Sequence, residues 1–248
     1  MGLLAAAINA YEVVPIYWSH NDPQTLPPGT KLTLLLANVQ RSNTEYSRLI
    51  EIVDVHRPDL LAVVEPDTTW VQALDILTPL YPHQKIVARD DSFGIALYSR
   101  IPFDGVEVVD LGNTGVPSIA AKILLDKKEV TILATHPLSP PAKLNYDRRN
   151  NQLSAISTYI RALPGSKIII GDLNVTLWSV YFSRLLHESG LVNTRQGHGI
   201  LATWPTYLPL MMIPLDYCLV SPDIMIKNIA TLPNIGSDHL PLLVKLEI

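Results

Sequence analysis

Eight polar residues stand beside strongly apolar runs, where each predicted strand begins or ends. They are carboxylates, carboxamides and imidazoles, the side chains that move protons and bind hard metal ions. Charged groups are costly to bury without partners, and ligand sites of α/β sheets lie at strand ends. Their repeated placement therefore indicates one shared site, comprising Asn38, Glu65, His136, Asp172, Asn174, Asp216, Asp238 and His239.

The stretch IIIGDLNVT, residues 168–176, shows the pattern most clearly. Side chains two apart in a strand point to the same side, so Asp172 and Asn174 are expected to enter one cleft. Gly171 lets another backbone pack closely there. Taken singly, the polar residues also have plain interpretations: a turn residue, a solvated strand end, a satisfied core histidine or a bonded loop carboxylate. The joint pattern favours a site.

The elements that must position these residues alternate between buried strands and amphipathic helices. Apolar runs predict strands at 31–39, 59–65 and 93–100, a hairpin over 117–136, and strands at residues 167–174 and in the last third of the chain. Helical spacing predicts helices at 44–56, 68–77, 142–163 and 179–189. Because βα alternation gives way to hairpins, two packed sheets with helices outside are expected.

Composition sets limits on the class of protein. The 248 residues are 48% hydrophobic, enough for a substantial core, and the formal net charge is −4. Beyond DRRN at 147–150 and DKKE at 126–129 there is no Lys/Arg cluster, which argues against tight, non-specific binding of duplex nucleic acid. The single cysteine, Cys218, excludes an internal disulfide and is expected to be a small buried hydrophobe.

The N-terminal segment is apolar and poorly suited to be a signal peptide. Residues 1–30 comprise this segment and a Pro-rich linker at 19–31, and the domain is expected to span 31–248. Residues 1–18 are open to two interpretations: a helix packed on the domain, or the end of a membrane segment or interfacial helix. The second places the protein on a membrane with its domain extracytoplasmic, and the first leaves it cytoplasmic.

Seven motifs, in order along the chain, resemble the endonuclease/exonuclease/phosphatase superfamily, which includes DNase I-like nucleases. They are LANVQ, AVVEPD, GIALYSRIP, ILATHPLSP, IIIGDLNVT, LDYCLVS and GSDHLPLLV. The resemblance covers about residues 31–248 and implies a four-layer α/β sandwich, in which two packed mixed β-sheets are flanked by helices. The stretches THPLSPP and TWPTYLP are also similar to bacterial members with N-terminal membrane segments, which favours the membrane interpretation of residues 1–18.

The resemblance implies metal-assisted hydrolysis of a phosphoester, with Mg²⁺ as the cofactor and Mn²⁺ as an alternative. Glu65 is the expected principal ligand, because Mg²⁺ prefers oxygen and keeps several waters. Asn38 is expected to support the ion through its amide oxygen, and Asp238 to add a carboxylate. A tetrahedral zinc site is not expected, since no Cys/His cluster has zinc spacing.

Catalysis is expected to depend on the remaining polar residues. Asp172 resembles the residue that orients or deprotonates the attacking water, and Asn174 is expected to donate its amide to phosphate or to Asp172. His239 needs a carboxylate to fix its tautomer, and the family position predicts Asp216. His136 is expected to act on phosphate or on the leaving group.

Two further residues are candidates for binding substrate. Arg149 would meet phosphate, although a helical arginine is more often a surface charge, and Trp204 would contact substrate or simply anchor its loop. The predicted function is a Mg²⁺-dependent phosphoesterase acting on nucleic acid or on a small or lipid-linked phosphate, with no protein partner implied. The alternatives are a non-catalytic binding module that keeps the fold and, within the enzyme class, a lipid- or sugar-phosphate phosphatase.

Overall fold

The computed structural model describes residues 29–140 and 143–248. Within these residues the chain forms twelve strands: β1 (Lys31–Asn38), β2 (Leu60–Val64), β3 (His83–Val87), β4 (Ile95–Ser99), β5 (Phe103–Asp110), β6 (Pro117–Leu125), β7 (Lys128–Ala134), β8 (Ser166–Asp172), β9 (Val192–Asn193), β10 (Asp216–Val220), β11 (Met225–Thr231) and β12 (Leu242–Glu247). The helices are α1 (Tyr46–His56), α2 (Thr68–Leu74), α3 (Lys143–Ala162) and α4 (Val180–Ser189), with short 3-10 turns at Asp75–Leu77 and Pro209–Met211.

The strands form two six-stranded mixed sheets. The first has the order β11-β12-β1-β2-β4-β3 and the second β5-β6-β7-β8-β10-β9. Each contains one parallel pair, β1 with β2 and β7 with β8, and its other pairings are antiparallel. Helices cover the outer faces, so the predicted four-layer α/β sandwich is confirmed.

The apolar runs are explained by burial on both faces of the central strands. In β1, Leu34 and Leu36 face the core between the sheets, whereas Leu35 packs beneath α1 and α2 with Val53 and Trp70. On the second sheet, Ile169 of β8 packs in the same way beneath α3 and α4, with Ile156 and Phe182. Successive side chains of these strands thus enter two different apolar layers. The strands therefore have no polar face of the kind that a solvent-exposed sheet shows.

Three strands, β3, β5 and the two-residue β9, were missed by the sequence interpretation, and all three lie at sheet edges. All residues of β3 are only partly buried, and β5 alternates partly buried and exposed residues that include charged side chains. These edge strands are buried on one face at most. Their sequences therefore lack the continuous apolar run that identified the other strands. The helix expected at 68–77 is α-helical only to Leu74. Cys218 is fully buried, as predicted.

The chain enters the domain at the end of the sandwich opposite the carboxyl ends of the parallel strands. The N–H of Thr30 donates to the carbonyl of Ile248 at 2.9 Å, just before β1 begins. The expectations for residues 1–18 lie outside the described residues. Among the helices of residues 29–140 and 143–248, none has both the length and the apolar character needed to cross a membrane.

Candidate active site

The two parallel strand pairs bring the predicted residues together. The carboxyl ends of β1 and β2 carry Asn38 and Glu65, and those of β7 and β8 lead to His136 and Asp172. Because the sheets pack face to face, these ends meet at one edge of the sandwich. Asp216 opens the antiparallel β10 directly opposite Asp172. The sequence expectation of a shared site at strand ends therefore holds geometrically.

The carboxylate of Asp172 lies at the centre of the cluster. Its Oδ2 accepts a hydrogen bond from the Asn38 amide at 3.2 Å and is 3.6 Å from Nε2 of both His136 and His239. Its Oδ1 accepts from the backbone N–H of Asn174 at 2.9 Å. The side chain is 1% exposed, and burial raises the pKa of Asp172 to about 6, against the opposing charge of His239. A carboxylate in this state can accept a proton near neutral pH.

His239 and Asp216 form the predicted pair across the two sheets. Nδ1 of His239 is 2.8 Å from Oδ2 of Asp216, and Nε2 points toward Asp172. Burial alone would lower the pKa of His239, but the charges of Asp216 and Asp172 outweigh it and raise the pKa to about 10. Burial also opposes ionisation of Asp216, yet His239 holds the pKa of that carboxyl below its usual value. The imidazole is therefore a cation at neutral pH.

Glu65 is held in a strained backbone conformation at the end of β2. Its φ is 65°, in the left-handed region that non-glycine residues seldom occupy, and its N–H donates to the carbonyl of Gly94 at 2.9 Å. A Cβ on Gly94 would lie 2.0 Å from the carbonyl oxygen of Pro66, so only glycine permits this approach. Burial raises the pKa of Glu65, and the hydrogen bond from Asn38 partly offsets that effect.

Asn38 is oriented differently from the sequence expectation. Its amide nitrogen, not its oxygen, faces Glu65, at 3.1 Å from Oε1. The amide oxygen accepts instead from the backbone N–H of Gln40 at 2.9 Å, which fixes the orientation of the group. Asn38 therefore bridges the carboxylates of Glu65 and Asp172 as a donor, and in this orientation its oxygen is not directed at a metal.

Asn174 reaches the cleft for a reason other than strand alternation. β8 ends at Asp172, and Asn174 adopts a φ of 50° in the turn that follows. Its side-chain amide donates to the carbonyl of Pro137 at 2.9 Å and lies 3.2 Å from Nε2 of His136. Burial lowers the pKa of His136, so a neutral ring that accepts this amide at Nε2 is consistent with the geometry.

Asp238 and Trp204 form a second connection within the site. The indole N–H of Trp204 donates to Oδ2 of Asp238 at 3.0 Å, and the backbone N–H of Asp238 donates to Oε1 of Gln40 at 3.0 Å. The Trp204 ring is 6.4 Å from that of His239. Trp204 thus anchors its loop and also lines the cleft, while its contact with substrate stays a prediction.

Arg149 is not the surface charge that its helical position suggested. It is 3% exposed, and its guanidinium donates through Nη1 to the carbonyl of Asn174. It also lies 5.2 Å from the ring centroid of Tyr146. Burial lowers the pKa of Arg149. Arg149 therefore supports the turn that carries Asn174, at the wall of the cleft.

These residues surround a cavity of about 790 Å³. Apart from Asp216, which is buried behind His239, and Asn38, which bridges two carboxylates beneath it, every predicted site residue lines the cavity. Sequence reasoning missed further lining residues that come from loops or, for Tyr146, from the first turn of α3, and that carry no strand-end signal. They are Gln40, Arg41, Ser42, Ser92, Phe93, Ser139, Tyr146, Thr176 and Ser179. Of these, Gln40 and Thr176 had a local signal, because each follows a predicted site asparagine by two residues.

The site has the donors that a divalent cation requires. Asp172, Asp216 and His239 each offer one ligand atom within 4.8 Å of the others, so this group could hold a metal ion. Glu65 and Asp238 add two carboxylates to the same cavity. Oxygen donors of this kind suit hard cations such as Mg²⁺ and Mn²⁺.

The fold and this group of acidic residues and imidazoles define the class to which the protein belongs. Residues 35–239 match the model of the Endonuclease/Exonuclease/phosphatase family. The chain belongs to that family, as the sequence motifs indicated, and is a hydrolase of phosphoester bonds.

Solved structures show the same fold at low sequence identity. D. rerio TDP2 in complex with a single-strand DNA product is 17% identical with a TM-score of 0.74, covering 88% of this chain and 100% of that one. Sphingomyelinase C from Streptomyces griseocarneus is 17% identical with a TM-score of 0.64, covering 87% and 99%. An endonuclease/exonuclease/phosphatase from Bacteroides vulgatus is 18% identical with a TM-score of 0.72, covering 88% and 99%. No curated protein matches this sequence.

Proposed function

We propose that the protein is a divalent-metal-dependent phosphoesterase that hydrolyses its substrate by in-line attack of water, with Mg²⁺ as the cofactor and Mn²⁺ as an alternative. The observation that carries the proposal is the position of Asp172 Oδ2. It lies 3.6 Å from Nε2 of two imidazoles and is braced by the Asn38 amide. A buried carboxylate in this position can accept the proton of the attacking water. The two imidazoles beside it can stabilise the charge of a phosphate.

Glu65 and Asp238 are the residues that would hold the metal. Both line the cavity, and burial together with the nearby charge of Asp238 raises the pKa of Glu65. A cation between them would relieve the repulsion between the two carboxylates. By contrast, an ion among Asp172, Asp216 and His239 would compete with the 2.8 Å contact between His239 and Asp216. When bound, the metal supplies charge neutralisation for phosphate and a lower pKa for water.

Asp172 is the group that acts on the attacking water. Its pKa of about 6 leaves most of the carboxylate ionised at pH 7, while a proton accepted from water is retained more readily than at an ordinary aspartate. Hydrogen bonds from Asn38 and from the backbone of Asn174 fix its orientation. Such fixed orientation supplies the near-attack geometry that in-line displacement needs.

His239 stabilises the charge that develops on the phosphoryl oxygens. With a pKa of about 10 it is protonated at neutral pH, and Asp216 holds Nδ1 so that Nε2 faces the cleft. His136 and Asn174 lie beside Asp172 and would contact a second phosphate oxygen or the leaving group. A donor set prearranged in this way stabilises a transition state without reorganising when the reaction occurs.

The charges of the chain favour a small or lipid-linked phosphate over a long duplex. The net charge is −4, and the arginines at the cavity wall are Arg41 and Arg149. Arg149 already donates to the backbone of Asn174. Sequence-independent binding of nucleic acid depends on many cationic contacts to phosphates. Among the structural neighbours, one was solved with a DNA product and another is a sphingomyelinase, so both substrate types belong in the test.

The test is a hydrolysis panel with Mg²⁺, with Mn²⁺ and with chelator. Substrates are bis-p-nitrophenyl phosphate, p-nitrophenyl phosphate, single-stranded and apurinic DNA, inositol phosphates, sphingomyelin and a polyprenyl pyrophosphate. Activity on at least one substrate is expected to require metal and to fall by at least 10³-fold in Asp172→Asn. Asp54→Asn, an exposed carboxylate on α1, is the matched control and should retain full activity.

Hydrolysis that persists in Asp172→Asn would contradict the proposed mechanism. A protein inert on the whole panel but able to bind one of these phosphates would instead support a non-catalytic binding module. Circular dichroism of the Asp172→Asn protein separates either result from misfolding.

A further inference from the structure

Large apolar side chains are exposed along one side of the catalytic cleft. They occur in three segments of the second-sheet side: the start of α3, the loop into α4, and the loop between Trp204 and Ile213. We call this set the apolar lip; it comprises Leu144, Tyr146, Trp178, Val180, Tyr207, Leu208, Leu210 and Met211. Each segment also contributes residues to the cavity wall, so the apolar lip borders the site itself.

The loop between Trp204 and Ile213 is rooted firmly and exposed at its tip. Trp204 and Ile213 form an antiparallel bridge, and the N–H of Thr206 donates to the carbonyl of Asp238 at 3.0 Å. Beyond this root, Leu210 is 102% and Met211 70% exposed. Exposure of neighbouring large apolar residues at a fixed site indicates that the loop meets an apolar partner.

The other two segments of the apolar lip are joined to each other. Tyr146 near the start of α3 and Tyr181 in the first turn of α4 meet edge to face, with ring centroids 5.8 Å apart. Leu144, two residues before Tyr146, is 68% exposed, and Val180, next to Tyr181 in the chain, is 64% exposed. Large apolar side chains are therefore exposed at both helix starts, which the Tyr146–Tyr181 contact joins.

The charge distribution identifies the kind of partner. Residues 196–215 contain no Asp, Glu, Lys or Arg, although they include the most exposed part of the apolar lip. The first-sheet side of the cleft differs from this loop, because it carries Arg41, Arg89, Asp90 and Asp91. The start of α3 also carries exposed charges, Lys143 and Asp147, which pair with each other at 3.0 Å. A nucleic acid would be held by cations, which residues 196–215 lack. Side chains that project outward, instead of lining a groove, suit a soft hydrocarbon phase.

We propose that the apolar lip inserts into the surface of a lipid bilayer or micelle and that the cleft hydrolyses a phosphoester carried by a lipid. The proposal rests on the proposed function for its chemistry, but the docking surface is an independent structural feature. With the lip in hydrocarbon, a headgroup phosphate at the interface lies at the mouth of the cleft, where His239 and Asp172 are placed. The charged loops of the first-sheet side then remain in water.

A site-specific probe tests insertion without requiring catalysis. Leu210→Cys is labelled in the full-length protein with an environment-sensitive nitrobenzoxadiazole dye, and Cys218 is fully buried and so protected from labelling. The matched control is Ile76→Cys, because Ile76 is 70% exposed but lies on the outside of the first sheet. With phosphatidylcholine vesicles, emission at position 210 is expected to shift to the blue and to rise at least twofold, while emission at position 76 stays unchanged.

Four results would overturn the proposal. The probes at 210 and 76 could respond alike, or neither could respond to vesicles. The probe at 210 could instead be shielded before vesicles are added, which would show that a second copy or another segment of the chain covers the lip. A response to single-stranded DNA but not to vesicles would likewise assign the surface to nucleic acid.

The second measurement is the ratio of two hydrolysis rates. Leu210→Ser/Met211→Ser is expected to lower the rate on a phospholipid in mixed micelles at least tenfold relative to bis-p-nitrophenyl phosphate. The control Val55→Ser/Ile76→Ser, which removes apolar residues that are 77% and 70% exposed on the outside of the first sheet, should keep the ratio. An unchanged ratio in the first variant contradicts the proposal. If the wild-type protein hydrolyses no substrate of the full panel, the proposed function fails, and the labelled proteins still decide whether the lip inserts.

Discussion

The carbonyl oxygen of Thr135 occupies the place where a side chain on Gly171 would begin. A Cβ on Gly171 would be 1.7 Å from that oxygen, and the N–H of Thr135 donates to the carbonyl of Ile170 at 3.1 Å. The next residues on the two strands are His136 and Asp172, whose Nε2 and Oδ2 are 3.6 Å apart. The bare backbone of Gly171 therefore sets the separation of an imidazole and a carboxylate.

Gly171→Ala is expected to damage both stability and activity. The new methyl group must push β7 and β8 apart, which costs about 1–3 kcal/mol of unfolding free energy. It also shifts His136 relative to Asp172, so kcat should fall by about 10- to 100-fold. Urea denaturation and steady-state kinetics measure the two effects. In Gly105→Ala on β5, where a Cβ meets nothing within 4 Å, both quantities should stay close to wild type.

The charged state of His239 predicts a pH-dependent stability in the metal-free protein. Its folded pKa of about 10 exceeds the ordinary value of 6.5, so its contribution is fully present below pH 6.5 and is lost as pH rises through about 10. Between pH 7 and 9 the unfolding free energy should fall by up to about 1.4 kcal/mol per pH unit. The pKa of Asp172 is raised from 3.8 to about 6, so this group affects the unfolding free energy in a lower pH range.

Urea denaturation in chelator at pH 7, 8 and 9 tests this prediction. His239→Gln should flatten the pH dependence because the group that binds the extra proton is gone. His198→Gln removes an exposed histidine outside the cluster and should keep the wild-type slope. The same slope in wild type and His239→Gln would show that His239 is not the group responsible.

Arg149→Lys separates support of the Asn174 turn from binding of substrate. Lysine keeps the positive charge but cannot reproduce the planar donor that reaches the carbonyl of Asn174. If Arg149 positions the turn, kcat should fall by about 10- to 100-fold with little change in KM. A rise in KM at constant kcat would assign Arg149 to the substrate instead. The matched control is Arg148→Lys, because Arg148 donates to the carbonyl of Thr114 and not to that of Asn174.

Trp204→Phe tests whether Asp238 takes part in metal binding. Phenylalanine removes the N–H that holds the Asp238 carboxylate at 3.0 Å but preserves most of the ring. Outer hydrogen bonds of this type change metal affinity by about 10- to 100-fold. We expect the Mg²⁺ concentration for half-maximal activity to rise within that range, with kcat recovered at saturating metal. An unchanged Mg²⁺ dependence would exclude Asp238 as a ligand; Trp178→Phe, at an exposed indole, is the control.

The sequence predicted the inner layers of the fold and the strand-end residues of the site, because both follow from burial. A strand covered on two faces, such as β1 or β8, has to be apolar, and a polar residue at its end is conspicuous. The edge strands β3 and β5 escaped notice because exposed positions dilute the pattern. The pairing of His239 with Asp216 did not follow from burial. It was predicted only from the family resemblance, because the two residues lie in or beside strands of different sheets.

Orientations within the site were beyond the reach of sequence. Whether Asn38 presents nitrogen or oxygen depends on the N–H of Gln40, which is a matter of turn geometry. Asn174 enters the cleft through a left-handed turn, not through the alternation of a strand. The burial of Arg149 depends on the packing of α3 against the loop after β8. These side-chain orientations depend on loops, and the spacing of apolar residues along the chain does not predict loop conformation.

The two sheets contribute to the site jointly, and this has a consequence for how the enzyme tolerates change. Asn38 and Glu65 belong to one sheet, Asp172 and Asp216 to the other, and the 3.2 Å contact between the Asn38 amide and Asp172 depends on the thickness of the apolar layer between the sheets. The rate of hydrolysis therefore depends on the spacing between the two sheets. Substitutions beneath the outer helices can weaken the protein while leaving turnover intact, whereas those between the sheets should alter turnover before the protein unfolds.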